Sequence, residues 1–516
     1  MITSILGDSH YYGSGENSCC YNYIVTTFLL YLSMLKFSTA HIAEKFAKMP
    51  MALITLAFIA GVVTAAYTPS GVVAWVVLLC VALAVTIFWR NSIFVALMAL
   101  GGLVFNLYRT SQLPVGQSVR LVMEVADDGN DYGSYSTCAA DVIACNGVQC
   151  RARVRITADS LLLLRSGDVL CADVVVRPFK SDNSSYARSM YRQGFSGRVS
   201  VGYSSITEFI PASSTTLHRR AVERIEALIP PSDGRDVALS VGLGARAIRD
   251  RAVATNYSRS GASHLLAVSG MHVAVVFVLL NLLLLPLSLF WRGNIVRAVA
   301  VVAMVWLYVA LCGYPTSAIR AAIMFSVLQL SYISKSRHLP ENSLFATAFI
   351  MLATNPYMLF ELSFSLSFVA VMAIIFVARP VIDFIACPGF VVKGVVDMVV
   401  VSTACVVATA PLISNCFGVF SVLSIFITPV ALVTAQVIIV CTIASLVLPT
   451  SVATITAQAA AWCGELQNSI VEWTTQWGVG YAHLQIGDVA MEAIYAAMAL
   501  LLVVSFGVRV DVDTKK

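Results

Sequence analysis

Long apolar runs separated by short polar connections make up most of this 516-residue chain. Runs at about 50–67, 71–89 and 91–108 are each long enough to predict a membrane-crossing helix, and only YTPSG and WRN separate them. The runs resume near 264–290, 295–312, 317–334, 343–354, 357–378, 395–414 and 418–448, the last long enough to break in two at Pro429. A final span is expected over 489–507. Residues 451–477 carry Gln458, Glu465, Gln467 and Glu472 beside Trp462, Trp473 and Trp477, a mixture expected of a helix lying at the membrane interface.

Two stretches break this pattern. Between 109 and 211, short segments rich in β-branched residues alternate with turn signals such as NG, SG and SDNSS. The segments SVRLVMEVADD, CAADVIAC, CRARVRITADS, GDVLCADVVVRPFK and SGRVSVGYSSITEF predict five strands of a small β-barrel or sandwich. Residues 212–262 follow as amphipathic helices too polar to span, expected to lie on the membrane surface or dock on the bundle. Residues 1–49 form an N-terminal extension with one apolar segment, 21–35, that is short for a span.

Composition agrees with this division. The chain is 58% hydrophobic and 12% charged, where a soluble domain is about 25% charged. The net charge of +5 gives no strong nucleic-acid steering by itself. Its placement is more telling: Lys36, Lys45 and Lys48, then Arg90, then Arg292 and Arg297, then Lys335 and Arg337. With one crossing per apolar run, all four basic loops fall on one side, the cytoplasmic side by the positive-inside rule, and the β-region falls outside. The expected fold is therefore a polytopic α-helical membrane protein with an inserted extracytoplasmic β-barrel of OB-like type. The thirteen cysteines show no metal-type spacing. Cys138, Cys145, Cys150 and Cys171 lie in the β-region, where an oxidising compartment would permit a disulfide among them.

The sequence HLLAVSGMHV at 264–273 opens one of the apolar runs with two histidines and a serine. A charge at the centre of a span costs about 2.5–3.5 kcal/mol on insertion scales, so ionisable residues there need an explanation. On one continuous helix, His272 falls at about 80° and Ser269 at about 140° from His264, all on one face. Such a stripe either lines an aqueous path or hydrogen-bonds a neighbouring helix, with Ala267 and Gly270 permitting close approach. Gly270 offers a further alternative, a helix broken at membrane depth. In RARVR, Arg151, Arg153 and Arg155 share one face of a strand. They form either a solvated face or a basic stripe along a single strand's backbone, with Tyr132 or Tyr135 available to stack bases.

Three motifs in order make the chain resemble the ComEC family of competence proteins, over about residues 50–450. They are HLLAVSGMHV, GYPTSAIRAAIM at Gly313 to Met324, and NPYMLFELSFSLSF at Asn355 to Phe368. The third departs from the family in having Ser363 and Ser365 where Gly and Gln are usual. The resemblance implies an inner-membrane channel over 263–450 that passes single-stranded DNA into the cytoplasm during natural transformation. It implies a lining that includes His264, Ser269, His272, Arg320, Asn355 and Ser365, and DNA contacts from Arg151, Arg153 and Arg155. Arg320 reads either as a phosphate contact at the channel mouth or as a snorkelling side chain, and Glu361 as a helix-end charge or a partner for a cation.

Many relatives continue into a metallo-β-lactamase-like domain. None is expected in this chain, and neither catalytic residue, metal nor cofactor is assigned. The sequence has no GxxxxGK[ST] motif, so the expected partners are a separate cytoplasmic motor or helicase, a DNA receptor and a nuclease. Two other classes remain at this stage. A small-solute transporter would show two related halves, and no internal repeat is visible. An intramembrane hydrolase could use Ser269 with a histidine, but no acid partner stands on that run.

Overall fold

The structure, a computed structural model, describes residues 35–37 and 48–510 apart from short stretches at 69–70, 87–88, 90–91, 128, 132–134, 160–161, 163, 180–184, 213–215, 246, 249, 291, 335–339, 386–388, 418, 422–423, 477–480 and 484–485. The apolar run 21–35 and Tyr132 therefore lie outside the described residues, apart from Leu35. Two units emerge, 1–49 with 493–516, and 50–492. In the first, the strand Leu35–Phe37 pairs antiparallel with Val508–Val510. The rest concerns the second, except the last helix, of which residues from 493 on belong to the first.

Three helices open it: α1 (Pro50–Tyr67), α2 (Val72–Thr86) and α3 (Ile93–Tyr108). Glycine sets how closely they pack. A Cβ on Gly61 would collide with the Met98 carbonyl, and one on Gly101 with that of Phe58. Their outward faces stay apolar, with Val73, Val77 and Val81 all exposed. A helix apolar on both its packed and its exposed side has hydrocarbon as its natural solvent.

The sheet region follows: β1 (Ser118–Val125), β2 (Tyr135–Cys145), β3 (Val148–Asp159), β4 (Val169–Val175), helix α4 (Ser185–Arg192), β5 (Phe195–Val201) and β6 (Ile206–Ile210). The β2–β3 hairpin turns at Asn146 and Gly147, both at positive φ, as a two-residue NG turn requires. Alternation places Leu121, Met123, Val154, Ile156 and Leu170 in one buried core.

Two expectations need correction here. The segment SGRVSVGYSSITEF gives two strands, divided by a 3₁₀ turn at Tyr203–Ser205. The strand order β5-β3-β2-β1-β4-β6 is an open path, with β3 and β5 parallel, so the sheet is mixed and its ladders do not close into a barrel. The reason is visible in the pairing. Strand β6 occupies the second edge of β4, and among the described residues a single isolated bridge beyond it, Arg177 with Arg198, reaches back to β5.

The remaining helices are α5 (Leu217–Leu228), α6 (Asp233–Leu243), α7 (Arg251–Ser260), α8 (Gly270–Leu283), α9 (Gly293–Leu311), α10 (Thr316–Ser334), α11 (Pro340–Thr354), α12 (Leu362–Ala373), α13 (Phe390–Phe417), α14 (Ser424–Val447), α15 (Thr450–Gln476) and α16 (Asp488–Gly507). Helix α12 continues through a π-helical turn, Ile374–Ala378, into Arg379–Phe384. Five helices among the described residues are long and apolar enough to cross a membrane: Pro50–Tyr67, Gly293–Leu311, Leu362–Phe384, Val392–Cys416 and Val430–Val447. Others, including α2, α3, α8 and α10, are apolar but shorter by this measure.

In this region α6 decides between two expected placements and α14 changes one expectation. Helix α6 is not a surface helix: residues from Gly234 to Leu243 are buried, apart from a half-buried Asp236. Its closest partner is α15, where a Cβ on Gly464 would strike the Gly234 carbonyl. Helix α15 therefore buries Ala457, Ala461, Gly464 and Gln467 against the protein, while Trp462 and Trp473 face outward. Helix α14 runs unbroken through Pro429.

Candidate functional site

The first motif is not one helix. His264 lies in a single 3₁₀ turn, Ser263–Leu265, with Nδ1 3.1 Å from the Gly261 carbonyl oxygen. The chain then bends at Leu266 and Ala267 and is non-helical up to Ser269, the extended N-cap of α8, at φ −104° and ψ 167°. His264, Ser269 and His272 therefore do not share a helical face, and the break falls at Gly270. His264 is exposed, whereas His272 is buried, with 1% of its surface accessible.

His272 occupies the third position of α8, where a side-chain acceptor can reach back to the cap. Its Nδ1 accepts a hydrogen bond from the Ser269 backbone N–H at 3.2 Å. Nδ1 is therefore unprotonated, and in the neutral ring the proton resides on Nε2. Nε2 is buried and has no hydrogen-bond partner among the described residues.

The second motif docks onto this break. The Ser317 hydroxyl, at the start of α10, donates to the Val268 carbonyl oxygen. One turn on, Arg320 is buried, with 3% of its surface accessible, and its Nε and Nη1 have no hydrogen-bond partner among the described residues. Its guanidinium carbon lies 5.7 Å from the centroid of the Phe368 ring.

The third motif closes the group. Thr316 Oγ1 and Ser363 Oγ are 2.9 Å apart, joining the starts of α10 and α12. Glu361, the N-cap of α12, is within electrostatic reach of both Arg320 and Arg153. The first turns of α8, α10 and α12 thus meet in one place, where their free N–H groups and positive dipole ends add to the charge of Arg320.

Asn355 and Ser365 are used differently. Asn355 Oδ1 accepts from the Tyr357 N–H at 3.1 Å and caps the 3₁₀ turn Pro356–Phe360, which is a local structural role. That turn presents Tyr357 to the sheet region. The Thr110 N–H donates to the Tyr357 hydroxyl oxygen at 3.2 Å, and Thr110 Oγ1 donates to the Gly194 carbonyl at 3.0 Å. Ser365 is half-buried, and its backbone N–H donates to the Glu361 carbonyl at 3.1 Å. It is Ser363, not Ser365, that joins the convergence of helix ends.

The three strand arginines alternate with buried Ala152 and Val154; Arg151 is exposed, and Arg153 and Arg155 are half-buried. Arg151 lies over the Tyr108 ring at 4.9 Å. Arg153 lies over Phe195 at 5.0 Å and 3.5 Å from Asp141 Oδ1, and Arg155 Nη2 is 3.4 Å from Thr137 Oγ1. Two of the three thus face the helical part, Arg151 through Tyr108 and Arg153 through Glu361. Tyr135 is exposed at the start of β2. Cys138 is buried in the sheet core, while Cys145, Cys150 and Cys171 stand as thiols. Burial, reinforced by the neighbouring Cys145, raises the Cys150 thiol above its ordinary pKa.

Sequence reasoning missed a second polar layer deeper along the same helices. Gln329 Nε2 donates to Asn281 Oδ1 at 2.9 Å, and Asn281 Nδ2 donates to the Phe277 carbonyl at 2.9 Å. Beside them Trp306 Nε1 donates to Ser326 Oγ at 3.1 Å. The signal was present in the sequence: single amides inside VVFVLLNLLLL and SVLQLSY need partners at membrane depth.

A helical membrane assembly with an inserted sheet, organised around these three motifs, is the class these features define. The family model described as "Competence protein" matches residues 242–509, just over half of the chain, and the chain belongs to that family. Among curated proteins it is similar to "ComE operon protein 3" of Bacillus subtilis (strain 168), 29% identical over 160 residues. That match covers 31% of this chain and 20% of the relative. It is also similar to an uncharacterized protein of Aquifex aeolicus (strain VF5), 32% identical over 175 residues, covering 34% of this chain and 38% of that one. The matched regions thus span well under half the length of either relative. No solved structure matches the chain.

Proposed function

We propose that this chain is the inner-membrane channel that passes single-stranded DNA into the cytoplasm during natural transformation, with the driving force supplied by a separate motor. The observation that carries the reading is the meeting of three helix starts around buried Arg320 and His272, which have buried nitrogens with no hydrogen-bond partner among the described residues. Buried donors left unsatisfied cost about 1–3 kcal/mol each, so they favour a site that receives water or an anion. A phosphodiester supplies acceptor oxygens for Arg320, and three positive helix ends favour its charge. Membership of the competence family supports DNA as the polyanion. The reading assigns no hydrolysis to this chain and leaves strand degradation, DNA capture and motor work to partner proteins.

His272 provides the direct test. Gln is the natural third residue of a capping box, so His272→Gln keeps an acceptor for the Ser269 N–H and removes the imidazole ring, with its N–H replaced by an amide in a different position. Protein abundance is expected to stay at the wild-type level while transformation frequency per molecule falls. Equal falls in abundance and transformation, or no fall in either, would remove His272 from the path.

The orientation is part of the proposal. The basic loops support an extracytoplasmic sheet region. A reporter active only in the cytoplasm, inserted at the Asn146–Gly147 turn, is expected to be silent, and a strong signal there would reverse the topology.

A further inference from the structure

Helices α8 and α10 run parallel and in register. A Cβ on Gly270 would lie 3.7 Å from Ala321 Cβ, and further in, Asn281 pairs with Gln329. Between these levels Phe277 of α8 meets Phe325 of α10, with ring centroids 4.4 Å apart and planes within 14° of parallel. The stack separates two polar layers. Towards the helix starts lie His272 and Arg320, with nitrogens that lack partners. Towards the other end lies the hydrogen-bonded Asn281–Gln329 pair. Both phenylalanines are only half-buried, so the stack keeps an accessible edge.

We propose that Phe277 and Phe325 form the constriction of the path: closed, the rings exclude water and ions, and in transport they stack on each passing nucleobase. This rests on the reading of the chain as a DNA path. The physical warrant has two parts. An apolar ring pair between polar layers dewets and blocks small ions without any moving lid. A nucleobase is the one component of the substrate that can replace ring–ring contact with equivalent stacking, and such stacking tolerates every base, as passage of unselected sequence requires. Phosphates would be handled at the Arg320 level and bases at the ring level, about one helical turn apart.

The experiment uses the purified full chain in sealed phosphatidylethanolamine–phosphatidylglycerol vesicles with a pH-sensitive dye inside and no DNA. Wild type and His272→Gln are expected to hold an imposed proton gradient, and Phe277→Ala and Phe325→Ala to lose it. Alanine variants that assemble normally and stay tight would overturn the constriction. Phe277→Leu and Phe325→Leu carry the test if alanine prevents assembly, since leucine keeps an apolar plug without a ring. With leucine the vesicles are expected to stay tight while uptake per molecule falls about tenfold, the loss of one stacking contact. Unchanged uptake would overturn the stacking role. The two readings fail separately. Leaking alanine variants with normal DNA uptake in the His272 and Arg320 variants would keep the constriction and reject the DNA path. Tight alanine variants with uptake lost in the polar variants would do the reverse.

Discussion

Replacing Arg320 with Gln is expected to abolish transformation while leaving the protein in the membrane at near-normal abundance. Arg320 is buried, with two free N–H positions, an aromatic face at Phe368 and Glu361 within electrostatic reach. Were its role only to neutralise Glu361, losing it would leave a carboxylate inside the protein with Arg153 as the remaining cation. Destabilisation would then dominate, and protein level and uptake would fall together. The double variant Arg320→Gln, Glu361→Gln separates the cases. A purely structural ion pair would be relieved by it, whereas a phosphate contact would not be restored. Arg320→Lys keeps the charge but loses the planar fork, so partial uptake is expected. Oligonucleotide binding to the solubilised chain gives a readout independent of transport. Loss of one phosphate contact should lower the log–log salt slope by about 0.7 in the Gln variant, uniformly across sequences. An unchanged slope would place Arg320 outside the DNA site.

How far the sequence led depends on which physical signal each feature carried. The N-terminal helices were legible almost to the residue, because YTPSG and WRN interrupt runs that are otherwise apolar. The NG turn was legible because few residue pairs accept two positive φ angles. The break at 270 was harder. An apolar run reads the same whether helical or not, and what fixes the start of α8 is the Ser269–His272 capping pair together with the Ser317 bond from another helix. Helix α6 looked amphipathic because Arg235 and Asp236 are charged, yet they pair with each other at 3.2 Å and enter the core together. The open sheet was invisible for the same reason: strand pattern fixes faces, not which edge is occupied. The meeting of the three motifs could not be read from spacing, since it joins Val268, Ser317 and Ser363 across almost a hundred residues.

The joint at Tyr357 gives the largest expected effect on assembly, and its neighbour Asn355 can be tested beside it. The Tyr357 ring centroid lies 5.2 Å from that of Phe105. The ring also covers Gly194, where a Cβ would come within 3.0 Å of it and where φ is +84°. Its hydroxyl receives the Thr110 N–H just before the sheet region begins. Tyr357→Phe removes one hydrogen bond and should cost about 1 kcal/mol, a change the folded protein tolerates. Tyr357→Ala removes a buried ring, a change of about 3–5 kcal/mol for aromatic cores, and abundance in the membrane should collapse. Gly194→Ala should act in the same direction, since it both strains the backbone and strikes the ring. Asn355 then sorts itself by substitution. Asp also accepts from the Tyr357 N–H, so Asn355→Asp should keep abundance and transformation near wild type, whereas Asn355→Ala should lose about 1 kcal/mol of cap energy and lower both together. If Asn355 instead lined a path for a polyanion, the added negative charge in Asn355→Asp would block uptake at normal abundance. That outcome would return Asn355 to the lining and show that the cap seen in the structure is only part of its work.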